Sequence, residues 1–346
     1  MSNLQIGLVI AGGVLLAGVV AHGAWASRRN APRQAFPEPR NSASPDQGAE
    51  PVLVDSIFNA SNFSLPPVAR RQVMDSLIDV IATVALDAPN TVVSGEAALA
   101  ATPVTRRVGS KPFVIEGYNL STLLWEVPMP GQRYGGFQAG VQLANRSGPL
   151  NEIEYSEFVV KTQGFADAIG ATPEFPEMRD EVARARELDQ FAGGHDAQLG
   201  FTIRARNASW SPGYVQQTAA RLGFVAGVLP GRLVLPASAQ GMPAVLVLGF
   251  DPQAALSEDP AQSAIRDVTL HLDVPQVDRS ENAFERMCEL AFALAQTMDG
   301  IVTDDNGQPL PTQTLEVIGT ELRSLYDTLE QRDLAAGSAL ARRLFS

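Results

Sequence analysis

The chain has 346 residues, with 38 acidic side chains against 26 Lys and Arg, a formal net charge of -12 and a pI near 4.8. That balance argues against nucleic acid as a partner, since its phosphates demand a basic surface. A single cysteine, Cys288, excludes an intramolecular disulfide and suits a reducing compartment.

The first element is apolar. Between Leu4 and Ala26 there is no Asp, Glu, Lys or Arg, and the polar residues are Gln5 and His22. A helix needs roughly 20 apolar residues to cross a hydrocarbon core, so the run predicts a retained transmembrane helix. A cleaved signal peptide and a buried core helix are the alternatives. Ala24-Trp25-Ala26 resembles a cleavage site, but Met1-Ser2-Asn3 lacks the basic start of a signal and the apolar run is long for one. A core helix would show a polar face. Arg28, Arg29, Arg33 and Arg40 all follow the span and none precedes it. The Lys/Arg asymmetry therefore predicts an N-terminus outside and the bulk of the chain in the cytoplasm. Residues 1–29 are the expected anchor, with Leu4, Trp25, Arg28 and Arg29 marking its ends. Gly13 with Ala17, or Ala17 with Ala21, makes small-xxx-small pairs of the kind that support helix dimerisation.

Residues 30–67 read as a Pro/Ala-rich linker, with Pro32, Pro37, Pro39, Pro45, Pro51, Pro66 and Pro67 among small and polar residues. Val52-Leu53-Val54 and Ile57-Phe58 interrupt it as a short segment able to dock. A first α+β domain is expected over 68–193. Its strands are Ile78–Leu86, Phe113–Tyr118, Leu123–Val127 and Phe137–Ala144, and its helices Ser94–Ala101, Ile153–Ile169 and Glu177–Phe191. Gly193-Gly194 is expected to break the last helix and mark the boundary.

The second domain, expected over 195–335, opens on clean alternation. Leu199, Phe201 and Ile203 face one way; Gly200, Thr202 and Arg204 face the other. Ser211-Pro212-Gly213 starts a short helix through Leu222, with Ser as N-cap and Pro in the first turn. Strands follow at Phe224–Val228, Arg232–Leu235 and Val245–Phe250, the last apolar on both faces. Ile265–Val274 alternates again, with Leu270, Leu272 and Val274 opposite Thr269, His271 and Asp273. Asp278 and Glu281 have capping-box spacing ahead of a stripe of Phe284, Met287, Cys288, Ala291, Leu294, Ala295 and Met298. Asp299-Gly300 ends that helix. A strand Ile301–Thr303, a turn Asp304-Asp305-Asn306-Gly307 and a helix Thr312–Gln331 complete the domain, and residues 336–346 form a tail. The fold class is therefore α+β: a transmembrane helix, then two two-layer domains with antiparallel sheets. The first domain reads as a degenerate copy of the second, or as an unrelated domain of the same common layout.

No catalytic constellation stands out. His22, His195 and His271 keep no metal-ligand spacing with one another or with Cys288. Cys288 lies on an apolar stripe and reads as a structural thiol, and Asp304-Asp305 reads as a solvated turn. No cofactor, metal or small-molecule substrate is expected. Helices cover one face of a two-layer antiparallel sheet, so the apolar groups of Val245–Phe250 on the other face mark a partner site. Packing of the first domain on that face and a simply imperfect alternation are the alternatives.

Two stretches carry a family resemblance. His22-Gly23-Ala24-Trp25-Ala26-Ser27-Arg28-Arg29 closes the span. Between Gln198 and Gln331 lie Leu222-Gly223-Phe224, Val268-Thr269-Leu270-His271-Leu272-Asp273-Val274-Pro275, Phe284, Ala291 and Gly300-Ile301-Val302-Thr303-Asp304-Asp305. Together they resemble the ZipA family of bacterial cell-division proteins, including its His-Gly-x-Trp-x-Ser-Arg pattern. The resemblance implies a non-enzymatic protein of the inner membrane at the division site. Its C-terminal domain would bind the C-terminal peptide of the tubulin-like FtsZ on an open sheet face and so tether the ring to the membrane. Carried over by position, the contacts would be Thr202, Leu229, Val247, Gly249, Thr269 and His271. Thr269 keeps the family's residue, His271 stands in place of an aromatic Phe, and Gly249 and Leu229 alter other apolar contacts. A membrane-anchored envelope enzyme or regulator, with its site in the first domain, and a scaffold binding another helical peptide are the competing readings.

Overall fold

The computed structural model describes residues 33–34, 74–88, 91–257, 259, 263–304 and 307–346. The expected anchor 1–29, the linker apart from Arg33 and Gln34, and Asp305-Asn306 of the turn lie outside them. Among the described residues no helix is long and apolar enough to cross a membrane. The chain divides into two compact units: a first of Arg40–Asp196 with Ala339–Ser346, and a second of Ala197–Ser338 with Met1–Pro39.

In the first unit the chain runs β1 (Asp79–Leu86), β2 (Val93–Ser94), α1 (Gly95–Ala101), β3 (Arg107–Val108), β4 (Lys111–Asn119), β5 (Leu124–Glu126) and β6 (Arg133–Gln142). A small ribbon of β7 (Ala144–Asn145) and β8 (Gly148–Pro149) leads to α2 (Glu152–Ile169), β9 (Ala171–Glu174) and α3 (Met178–His195). Local signals set these limits. Ser94 accepts a bond from the Ala97 N–H at the start of α1. Asn151 and Glu154 form a full capping box on α2, and Gly170, at φ 67°, closes it in a left-handed conformation open to glycine. The main sheet has the order β3-β4-β6-β1-β9 with antiparallel neighbours. Its core side meets α2 through edge-on rings, Phe113 against Phe158 and Phe137 against Phe165.

Two features depart from the sequence reading. Helix α3 does not break at Gly193-Gly194 but runs through both to His195. Glycine lowers helix propensity by about 1 kcal/mol per residue, yet the buried side chains of Val182, Ala185 and Leu188 hold α3 to the unit, and His195 stacks on Phe191 with its Nδ1 at the Phe191 carbonyl. The final residues form α8 (Ala339–Leu344) and pack into the first unit, where Leu344 and Phe345 are buried. Arg343 grips the buried Asp79 carboxylate with both guanidinium nitrogens, at 2.5 and 3.0 Å, and the Arg343 carbonyl accepts from Gln142 Nε2 at 2.8 Å.

The second unit runs β10 (Gln198–Ala205), α4 (Pro212–Arg221), β11 (Val225–Ala226), β12 (Arg232–Leu235), β13 (Leu246–Gly249), α5 (Pro252–Ala255), β14 (Asp267–Asp273), α6 (Ala283–Met298), β15 (Gly300–Thr303) and α7 (Thr312–Gln331). Ser211 caps α4 on the Tyr214 N–H with Pro212 behind it. The expected capping box is not at the start of α6. Asp278 instead caps a single 3-10 turn over Arg279–Glu281, and Asn282, left-handed at φ 47°, separates that turn from the helix. Glu281 is drawn away by Ser238 and Arg286. The sheet order is β11-β12-β13-β14-β10-β15, again antiparallel. Phe284, Met287, Ala291, Leu294 and Met298 of α6 are buried, and Phe284 meets Phe201 of β10 edge-on.

The two sheets share one plan. In each, the first strand lies between the sheet's last strand before the long helix and the strand after it: β1 between β6 and β9, β10 between β14 and β15. A short helix follows the first strand, and a last helix follows the final strand.

Arg343→Ala should destabilise the first unit by about 3 kcal/mol or more, because it leaves a buried carboxylate without its partner. Burial already pushes the Asp79 carboxyl up, while Arg343 pulls it down. Without Arg343 the value rises further, so the variant's deficit should shrink as pH falls and Asp79 takes up a proton. Denaturant titrations of both proteins at neutral and mildly acidic pH measure this.

Candidate functional site

The closed face of the second sheet is fixed by alternation. Phe201 and Ile203 of β10, Leu246 and Leu248 of β13, and Val268, Leu270 and Leu272 of β14 are all buried. The intervening side chains must point the other way. Register then sets them in rows. Val234, Val247, His271 and Gly200 lie side by side across β12, β13, β14 and β10. The next row is Arg232, Gly249, Thr269, Thr202 and Thr303.

These rows floor a groove of about 580 Å³ lined by Val247, Gly249, Phe250, Thr269 and His271, with Leu199 and Leu272 contributing and Arg232, Asp251, Asp267 and Asp273 at its rim. Gly249 keeps the floor free of a side chain: a Cβ there would come within 3.3 Å of Thr269 Oγ1, which donates to the Gly249 carbonyl at 3.3 Å. Asp267 is bridged by Arg204 at 2.8 Å. Open, part apolar and lined from β10, β12, β13 and β14, the groove suits a peptide laid across strands better than a small molecule, which prefers a deep enclosed pocket.

Of the six positions carried over by resemblance, Val247, Gly249, Thr269 and His271 come together in this groove. Thr202 is the cross-strand partner of Thr269 on the adjoining strand. Leu229 does not join them; it lies in the turn before β12, 55% exposed, and its carbonyl accepts from the Arg232 N–H. Arg232, Asp251 and Asp267 went unnoticed in the sequence. Period-2 alternation on β14 was the available signal for Asp267. Arg232 and Asp251 sit at strand ends, where no periodicity reports a face.

The corresponding face of the first sheet is built differently. Glu116, fully buried, accepts from the Met74 N–H at 3.1 Å and from Gln138 Nε2 at 2.8 Å. Met74 Sδ lies over Gly140, so close that a Cβ there would be 2.1 Å away. With Arg343 on Asp79, that unit covers one part of the face with its own chain, while Thr83 and Ala85 of β1 stay exposed.

Among the described residues, no group of three or more His, Cys, Asp and Glu could hold a metal ion. Cys288 is half-buried on α6, and burial together with Glu285 and Glu289 pushes its thiol up to about 11.

Residues 255–321 match the family model described as ZipA, C-terminal FtsZ-binding domain. The match supports the ZipA family. It runs from α5 to the first half of α7 and takes in Thr269 and His271, whereas Thr202, Leu229, Val247 and Gly249 lie before it. No protein of curated function matches the chain.

With its thiol pushed up to about 11, Cys288 should react with a disulfide reagent at neutral pH at least about twentyfold more slowly than a free cysteine, whose pKa is about 8.5. Stopped-flow absorbance on the folded chain measures that rate.

Proposed function

We propose that this chain is a non-enzymatic cell-division protein that holds FtsZ at the cytoplasmic face of the inner membrane. In this reading Leu4–Ala26 is the anchor, with the N-terminus periplasmic. The groove floored by Val247, Gly249, Thr269 and His271 takes the C-terminal peptide of FtsZ, and the tethered ring is stabilised at the division site. The observation that carries the reading is a coincidence of two independent facts. The family match covers β14, and β14 is the strand that brings Thr269 and His271 to a face that the described residues leave uncovered.

The proposed domains follow the two units. The second is the peptide-binding domain. The first is a degenerate copy on the same strand plan, whose equivalent face its own chain has taken over in part. An ionic or metal-assisted active site is not needed for this role; an open, part apolar groove gives modest affinity by burying a few side chains.

Titration of the full chain with a peptide from the FtsZ C-terminus should give a dissociation constant in the micromolar range, about -8 kcal/mol. Val247→Asp and His271→Asp should each weaken binding at least about tenfold, by placing a charge where apolar groups must be buried. His271 is exposed, so its replacement should leave the thermal midpoint nearly unchanged. No binding by the parent chain would refute the reading.

A further inference from the structure

Arg33 lies in the stretch that composition marks as linker, yet it is fastened to the second unit. Its N–H donates to the Ser209 carbonyl at 2.7 Å, and its own carbonyl accepts from the Ser211 N–H at 2.9 Å, alongside the buried Trp210. Its guanidinium donates to the Met298 carbonyl at 3.3 Å and to Asp299 Oδ2 at 3.1 Å. Those acceptors sit at the C-terminal end of α6, where unpaired carbonyls favour a cation. Trp210 Nε1 donates to the same Met298 carbonyl at 2.7 Å. A single residue is thus held by main chain and side chain at once.

The clamp lies at one end of the sheet. Asp299 leads into β15, whose Gly300 pairs with Ala205 at the end of β10. The Ala205 N–H donates to the Arg266 carbonyl, and Ile265 pairs with Trp210. Arg206 and Arg266 are both exposed at this end, and Arg206 Nε donates to the Gly300 carbonyl at 3.2 Å. Asp299 here is paired with Arg33 and Asp267 with Arg204, so among the described residues Arg206 and Arg266 are exposed cations of this end outside those ion pairs.

Only Asn30, Ala31 and Pro32 separate Arg29 from the clamp. Four residue steps span at most about 14 Å even when fully extended. A free tether over residues 30–67 would instead reach about 35 Å on average.

We propose that this end of the second unit is a membrane-contacting surface. The Arg33 clamp holds it within about 14 Å of the point where the Leu4–Ala26 span leaves the bilayer, and Arg206 and Arg266 meet anionic phospholipid headgroups. The inference rests on the anchor reading above. Its physical logic is that cations held within at most about one and a half Debye lengths of an anionic leaflet, about 10 Å each at 0.1 M salt, are attracted to it. The peptide groove is then carried at a set height, and the chain between Arg33 and Met74 connects the two units without setting that height.

The test uses the full chain with Cys288→Ser, reconstituted in vesicles of phosphatidylglycerol and phosphatidylcholine that contain a headgroup-spin-labelled lipid. A fluorophore is placed at Ala264→Cys, beside the clamp, or at Gln240→Cys. Both positions are exposed, and the second lies in the β12–β13 connection at the opposite end of the sheet. Quenching should be several-fold stronger at 264 than at 240. The contrast should collapse in Arg33→Asp. It should also collapse when a flexible spacer of about 20 residues, adding roughly 25 Å of reach, is inserted after Arg29; this variant leaves the clamp intact should Arg33→Asp fold poorly. Equal quenching at the two positions, or persistence of the contrast in either variant, overturns the proposal. A chain that does not insert sinks the anchor reading and this inference with it, whereas a chain that inserts without contrast sinks the inference alone.

Discussion

The proposed peptide site depends on one constraint: in the second unit, the described helices cover a single face of an antiparallel sheet. Phe201, Ile203, Leu246, Leu248, Leu270 and Leu272 turn towards that cover and are buried. Period-2 geometry then leaves no choice for Val247, Gly249, Thr269 and His271, which must share the opposite face. A one-residue slip of β14 would exchange His271 for Leu270 and abolish both core and groove. The same contacts that stabilise the fold therefore also set the register of the site.

Much of this was legible in the sequence where the signal was local. Alternation on β10 and β14 separated the two faces, and Ser211-Pro212 and Asp299-Gly300 bounded their helices as capping chemistry requires. What failed depended on distant partners. Asp278 and Glu281 had capping-box spacing, but Glu281 is claimed by Ser238 and Arg286, and Asn282 adopts a left-handed conformation between turn and helix. Gly193-Gly194 had the composition of a break, yet α3 is packed through the residues before it and its last residue, His195, stacks back on Phe191. The tail read as an appendage because nothing in Ala339–Ser346 announces that Arg343 has a buried carboxylate waiting some 260 residues earlier.

Arg33 and Arg343 make a related point about linkers and tails. Both lie in stretches whose composition predicts no structure, and both are arginines that reach acceptors no periodicity could reveal: the end of α6 for one, Asp79 for the other. A planar guanidinium with several donors is well suited to such a role, since it satisfies a carboxylate or carbonyls without a matching apolar surface. The shared strand plan of the two units shows a second economy of design. Among the described residues one sheet leaves its outer face open, whereas the other is covered in part, by Met74 over Gly140 and Glu116 and by Arg343 on Asp79, with Thr83 and Ala85 still exposed.

The central claim is that the open face of the second sheet receives a peptide. Amide chemical shifts of the isotope-labelled protein, followed as an FtsZ C-terminal peptide is added, test it most directly. The account predicts that the largest changes fall on Val247, Gly249, Thr269 and His271 and their row neighbours, with α6 and α7 little affected. Changes centred on the helical face, or on the first unit, would contradict it.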